Sequence, residues 1–428
     1  MCRPPALSAW IAELEGVFAR LSGPQVKVLA EYSLGMVLAG RCGLSCAAFA
    51  LSQWLHGSFD AARERLRDWY RGAADKSGRA GKRRELDGEA CFAPLLAWVL
   101  ADWDGSDLAV ALDATTLGTR FVVLAVSVVY RGGAVPVAWV VLPATAKGAW
   151  KPHWLRLLGL FADAVPPRLR ERGLRVIVLA DRGLYARWLF RAIVALGWHP
   201  FLRINTHNAD FKPDGDDPQQ QQYLPAISLA GTTAAPYAAR GMMFRNPDKR
   251  QACTLLACHA DGYKDGWFVV TDLPPGRASV AWYGLRAWIE RGFKHSKSGG
   301  FNWQDTRMTD PARAARQWLA MAVATVLLLR QGGRQETEET TETAGTDTRA
   351  PTGATPAPTP TTPPTTPTTP KPRRRGTDRI LSLFCMGMLI VRVAALTDGS
   401  LPHARFVPEP WPDTFPASAR PTPNARPP

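Results

Sequence analysis

LAVALDATTLGTRFVVLAVSVVYRGGAVPVAWVVLP, residues 108–143, decides how the chain is to be read. LAVALDATT opens as a short apolar run ending at Asp113, FVVLAVSVVY and VPVAWVVLP are two further β-rich runs, and RGGA between those two is a turn. Three such runs in succession predict a three-strand meander. Downstream the spacing predicts a helix over about 153–165, the strand RVIVLA running into Asp181, a helix over 187–196 and the strand PFLRIN. A closing helix then carries YGLRAWIERGFKHSK, residues 283–297.

Three antiparallel strands, then helix, strand, helix, strand and a final helix, is the element order of a ribonuclease H-like fold. The expected class is therefore α/β with a mixed sheet, preceded by an N-terminal helical domain. That domain spans 1–104, with helical spacing in LSAWIAELEGVFARL, QVKVLAEYSLGMVLAG, LSCAAFALSQWL and FDAARERLRDWY. Residues 44–70, with a break at HGS and Arg63, Arg65 and Arg67 beyond it, read either as a helix-turn-helix or as a plain bundle with a basic face. KSGRAGKRRE, residues 76–85, is a basic loop suited to phosphates or to solvent.

The ribonuclease H-like unit is expected over 105–330, with a β-rich insertion at about 206–281. The insertion begins with the polar DGDDPQQQQ, read as a mobile loop, and ends in the β-like runs QACTLLACH and GWFVVTDL. An apolar helix is predicted over 311–330. Residues 331–377 hold almost nothing to bury and predict a disordered Thr/Pro-rich linker, followed over 378–428 by a short helix that docks back and a disordered Pro-rich tail.

Lys and Arg outnumber Asp and Glu by 52 to 37, a net charge of +15 that favours a polyanionic partner such as nucleic acid. The seven cysteines are scattered without disulfide or zinc spacing, which points to a reducing compartment and a cytoplasmic protein. The start lacks the pattern of a secretory leader, since Glu13 and Glu15 interrupt its apolar character. The most apolar runs, 319–329 and 380–391, fall short of the roughly 20 residues that span a bilayer.

In the final helix Trp282, Leu285, Trp288, Ile289 and Phe293 form an apolar side. The other side carries Tyr283, Arg286, Glu290, Lys294 and Lys297, one carboxylate among three cations. In the expected sheet the first and fourth strands are neighbours, so Asp113 and Asp181 can approach each other and the closing helix can bring Glu290 to them. Three acids at close quarters repel unless a hard cation lies between them, which makes physical sense as a Mg²⁺ or Mn²⁺ site. Two such ions suit phosphodiester cleavage. Each acid alone has a plainer role, a turn cap or a solvated helix position. Asp102, Asp104 and Asp107 are set aside as lying in a loop before the strand.

ALDATTLG, VLADRGLY and YGLRAWIERGFKHSK resemble the three catalytic blocks of DDE transposases of bacterial insertion sequences. The resemblance is to the insertion-sequence-four group, whose signature of Tyr, Arg, Glu and Lys is met by Tyr283, Arg286, Glu290 and Lys297. It implies that Asp113, Asp181 and Glu290 are catalytic and bind two divalent ions. It also implies that Tyr283, Arg286 and Lys297 contact DNA at the terminal inverted repeat, with Lys294 a fourth contact, and that the helical domain binds those repeats. Trp267 occupies the place of a tryptophan that stacks on a flipped base in relatives, though a half-buried strand tryptophan reads equally well. Cut-and-paste transposition, target DNA as second substrate and a homodimeric synaptic complex follow as expectations. The competing readings are a non-cleaving DNA-binding descendant and a host nuclease of the same fold.

Overall fold

A computed structural model describes residues 3–76, 84–146, 148, 150–215, 222–260, 265–346, 381–397 and 399–412. Five helices come first: α1 (Pro5–Val17), α2 (Gly23–Ala39), α3 (Leu44–Trp54), α4 (Phe59–Tyr70) and α5 (Phe92–Val99). Ser22 caps α2 through a capping box with Gln25, and Ser58 caps α4 by accepting from Ala61 N–H at 3.3 Å. Of the arginines noted in 44–70, Arg65 pairs with buried Glu31 at 3.1 Å and Arg67 pairs with Glu64.

The predicted meander forms: β1 (Asp107–Leu117), β2 (Phe121–Tyr130) and β3 (Gly133–Pro143) are antiparallel neighbours. Arg131 and Gly132 turn between β2 and β3 with φ of 40° and 84°, the left-handed pair that a two-residue hairpin requires. Then come α6 (Lys151–Ala164), α7 (Pro167–Glu171), β4 (Arg175–Ala180), α8 (Arg187–Ala195) and β5 (His199–Arg203). β4 pairs parallel with β1, and β5 parallel with β4. The order β3-β2-β1-β4-β5 is that of a ribonuclease H-like sheet.

The insertion supplies β6 (Asp210–Pro213), β7 (Leu224–Pro225), β8 (Tyr237–Met243), β9 (Gln251–Cys258) and β10 (Trp267–Thr271). These strands do not close into a layer of their own. β10 pairs antiparallel with β5, and the sheet runs on through β9, β8, β6 and β7 to ten strands. An unpaired β5 edge would leave a row of backbone groups without partners, and β10 satisfies them. Residues 216–221 of the expected mobile loop, and 77–83 of the basic loop, lie outside the described residues.

Alternation along the strands sorts the two faces. Ala109 and Ala111 of β1, Ala134 of β3 and Ile177 and Leu179 of β4 pack beneath Tyr283, Leu285 and Ile289. The small residues allow close approach: a Cβ added at Gly292 would stand 3.2 Å from the Ala134 methyl. Leu108, Val110 and Leu112 face the larger core, which is continuous with Trp154 and Phe161 of α6 and with the N-terminal helices.

After a 3-10 turn, Val280–Arg286, come α9 (Ala287–Lys297), α10 (Pro311–Thr346) and α11 (Leu383–Leu396). The linker expected from 331 is therefore helical as far as Thr346. Once a helix is nucleated, extension needs little more than side-chain pairs, and Arg334–Glu338 at 2.6 Å and Gln335–Glu339 at 3.0 Å are spaced for it. Residues 347–377 of that linker lie outside the described residues. By length and composition 311–339 is apolar enough to cross a membrane, beyond the short run seen in the sequence, yet 78% of its apolar window is buried inside the protein. Trp69 Nε1 donates to Arg316 O at 2.7 Å, and Gln317 Nε2 donates to Cys42 O at 3.0 Å, so α10 ties the N-terminal helices to the sheet.

α11 docks on α10 through glycines: a Cβ at Gly387 would fall 1.9 Å from Leu328 O, and one at Gly332 2.1 Å from Leu383 O. The tail expected to be disordered is packed up to Pro412. Arg330 Nε donates to Ala404 O at 2.5 Å, Phe406 meets the Tyr130 ring edge-on at 4.8 Å, and Trp411 meets Trp282 at 5.1 Å. Aromatic anchors hold a segment whose prolines exclude it from regular structure.

Candidate active site

The β1/β4 register ends with Leu112 opposite Ala180, so the next residues of each strand, Asp113 and Asp181, stand abreast on the face that α9 covers. Asp113 Oδ1 accepts from Ala114 N–H at 2.8 Å. Asp181 turns the chain out of the sheet, its Oδ1 accepting from Gly183 N–H at 3.0 Å and Leu184 N–H at 3.1 Å.

The third element is not one continuous helix. Tyr283 and Arg286 belong to the 3-10 turn, where residues three apart eclipse, and both are buried, 5% and 6% exposed. The stripe expected on one helix face therefore splits at Ala287. Its first two members point into the fold, and Glu290, Lys294 and Lys297 continue on α9. Lys294 is exposed and Lys297 half-buried.

Arg286 lies at the centre. Its Nη2 is 2.7 Å from Asp113 Oδ2 and 3.8 Å from Asp181 Oδ2, and its Nη1 pairs with Glu290 Oε1. Side-chain exposure rises outward from 8% at Arg286 and 14% at Asp113 to 40% at Asp181 and 65% at Glu290, so the cluster opens to solvent on its Glu290 side.

Burial pushes the Asp113 carboxyl up to about 6, against the pull of Arg286 and the Ala114 N–H, and Asp181 and Glu290 add repulsion. Burial acts to lower the Arg286 pKa, but Asp113, Tyr283, Glu290 and Asp181 outweigh it and hold the value above that of a free guanidinium. Lys297 is lowered by burial, with Asp113 opposing.

Trp267 is 7% exposed, and its ring meets that of Tyr283 edge-on at 5.5 Å. The structure thus gathers Asp113, Asp181, Glu290 and Arg286 into one cluster, sets Tyr283 and Trp267 in the packed layer beside it, and leaves Lys294 at the surface. Asp102 and Asp104 are in the loop as expected, whereas Asp107 is the first residue of β1 and pairs with Arg175 at 2.5 Å. Sequence reasoning missed two features: the inward guanidinium, and the Gly183 and Leu184 amides that hold Asp181.

Asp113, Asp181 and Glu290 offer the hard oxygen donors that Mg²⁺ or Mn²⁺ takes, all aimed at one cationic centre. Among the described residues no three acids, histidines or cysteines are grouped as a direct metal site, because the guanidinium stands between these three.

A family model described as a transposase DDE domain matches residues 104–327, just over half of the chain, and the match takes in all three acids and the Tyr283–Lys297 stripe. No curated protein matches the chain.

Proposed function

Because this chain belongs to the transposase DDE domain family, we propose that it is an active transposase of the insertion-sequence-four type that cuts and rejoins DNA at terminal inverted repeats. The observation that carries the reading is the convergence of Asp113, Asp181 and Glu290 on a single cationic group. Asp113, Asp181 and Glu290 are the residues that would hold two divalent ions, Mg²⁺ or Mn²⁺, which when bound supply Lewis-acid activation of a phosphodiester. Water attacks the phosphorus at the element's end and the 3′ oxygen leaves as a hydroxyl. That hydroxyl then attacks a phosphodiester of target DNA, whose own 3′ oxygen leaves as a hydroxyl.

The chain's other residues position the strand. Lys294 and Lys297 lie on the open side, where they neutralise phosphates. Arg286 Nε is buried with no hydrogen-bond partner among the described residues. In this reading Arg286 would turn from the acids to a DNA phosphate, and Tyr283 and Trp267 would be uncovered for the flipped base. A homodimer pairs the two ends.

Cleavage of a duplex carrying the element's ends should require Mg²⁺ or Mn²⁺ and vanish in Asp113→Ala, Asp181→Ala and Glu290→Ala. Full activity in any one of the three sinks the assignment. One observation favours a second reading, a DNA-binding descendant that no longer cuts: the Arg286 guanidinium occupies the centre on which the acids converge. End binding without cleavage under either metal would establish it.

A further inference from the structure

A cleft of about 850 Å³ opens where the ends of β1 and β3 meet the turn after β4. It shares Gly183 and Leu184 with the second acid, since the amides that hold Asp181 Oδ1 also line its wall. Trp150, Tyr185 and Trp188 stand half-buried around it, presenting aromatic surface to solvent in a concavity. Trp150 is fixed by donating from Nε1 to Ala146 O at 3.0 Å. The exposed Lys151 places its Nζ over the Trp188 ring, 5.8 Å from the centroid.

Aromatic faces to stack on and a cation at the rim describe a planar heterocycle attached to an anion. A purely apolar guest would leave Lys151 unused. A base inside a duplex presents no free face to stack.

The geometry points to a binding site for an unpaired DNA nucleotide, its base among Trp150, Tyr185 and Trp188 and its phosphate at Lys151. This site is separate from Trp267, which lies with Tyr283 in the packed layer under the 3-10 turn. Placed beside Asp181, it would hold a nucleotide of the strand next to the one being cut, and it rests on the DNA-processing reading above. Stacking on aromatic side chains tolerates any base, so the site needs no sequence preference.

The test uses the full chain, a fluorescein-labelled thymidine single strand and a duplex of equal length, with binding followed by anisotropy. Trp188→Ala and Lys151→Ala should each weaken single-strand binding, the former about tenfold, and change duplex binding less than about twofold. Trp188→Phe should restore most of the loss. Equal losses on both DNAs, or none on the single strand, overturn the proposal. Lys151 is exposed, so Lys151→Ala keeps the test valid if Trp188→Ala does not fold. Glu290→Ala should abolish cleavage and leave single-strand binding intact. Trp188-dependent binding without wild-type cleavage would sink the enzymatic reading and leave the cleft standing, and cleavage without any Trp188 effect would do the reverse.

Discussion

Arg286 Nη2 stands 2.7 Å from Asp113 Oδ2 with both side chains largely buried, so the protein carries its own cation where three acids converge. The guanidinium does not fully offset burial, since Asp113 is still pushed up to about 6. Removing one partner of a buried pair leaves the other charge uncompensated, at about 3–5 kcal/mol. Arg286→Ala should lower unfolding stability by about 3 kcal/mol in urea at neutral pH. Millimolar Mg²⁺ should then recover more stability in the variant than in the parent, because an ion binding the folded form alone stabilises it by mass action. An equal response of the two proteins would show that guanidinium and ion do not share the site.

Trp267 packs edge-on against Tyr283, and both are nearly inaccessible. Trp267→Ala should cost about 3 kcal/mol of stability, the typical loss for a large aromatic removed from a core. Trp267→Phe should retain most of that packing. If Trp267 also stacks on a flipped base while the freed 3′ hydroxyl attacks the opposite strand to close a DNA hairpin, the alanine variant held well below its melting temperature should still nick the first strand and fail at that closure. Loss of both steps together would leave Trp267 a packing role alone.

Lys294 and Lys297 divide along exposure, the first open and the second half-buried with burial lowering its pKa. Each alanine substitution should weaken end binding across all sequences and reduce the slope of log K against log salt by about 1. An unchanged slope in either variant means that the lysine in question touches no phosphate.

The strands at 108–143 were legible because long apolar β-branched runs separated by a glycine turn admit few other readings. Pairing Asp113 with Asp181 followed from strand order, since parallel neighbours of matched register bring equivalent ends together. The inward turn of Arg286 was not legible. Steps of three and four residues suit an α-helix and a 3-10 turn running into one, and only packing against Ala109 and Ala111 decides which way Tyr283 and Arg286 point. QACTLLACH and GWFVVTDL read as strands, but their continuation of the main sheet depends on a long-range pairing with β5 that no local pattern encodes. The helix beyond 330 lacks an apolar stripe, and the packed tail depends on Phe406 and Trp411, two aromatics in a proline-rich stretch.

His295 reports the docking of α11 on α9. Its ring stacks on Phe384 at 4.3 Å with the planes 8° apart, and Ser382 Oγ lies 3.4 Å from its Nε2. Burial, reinforced by the charges of Arg291 and Lys294, pushes the imidazole down from 6.5 to about 4. Between those values the unfolded chain binds the proton and the folded one does not, so this group's contribution is complete above pH 6.5 and is lost as pH falls toward 4. The loss is bounded at about 3 kcal/mol. Asp113 works in the opposite sense over part of the same range, because its raised pKa favours the folded state as pH falls below about 6. The difference between the parent and His295→Gln isolates the histidine. Urea unfolding across this range should show the parent losing stability toward acid faster than the variant. Parallel curves would mean that the imidazole is protonated in the folded protein and that its stacking on Phe384 does not depend on charge.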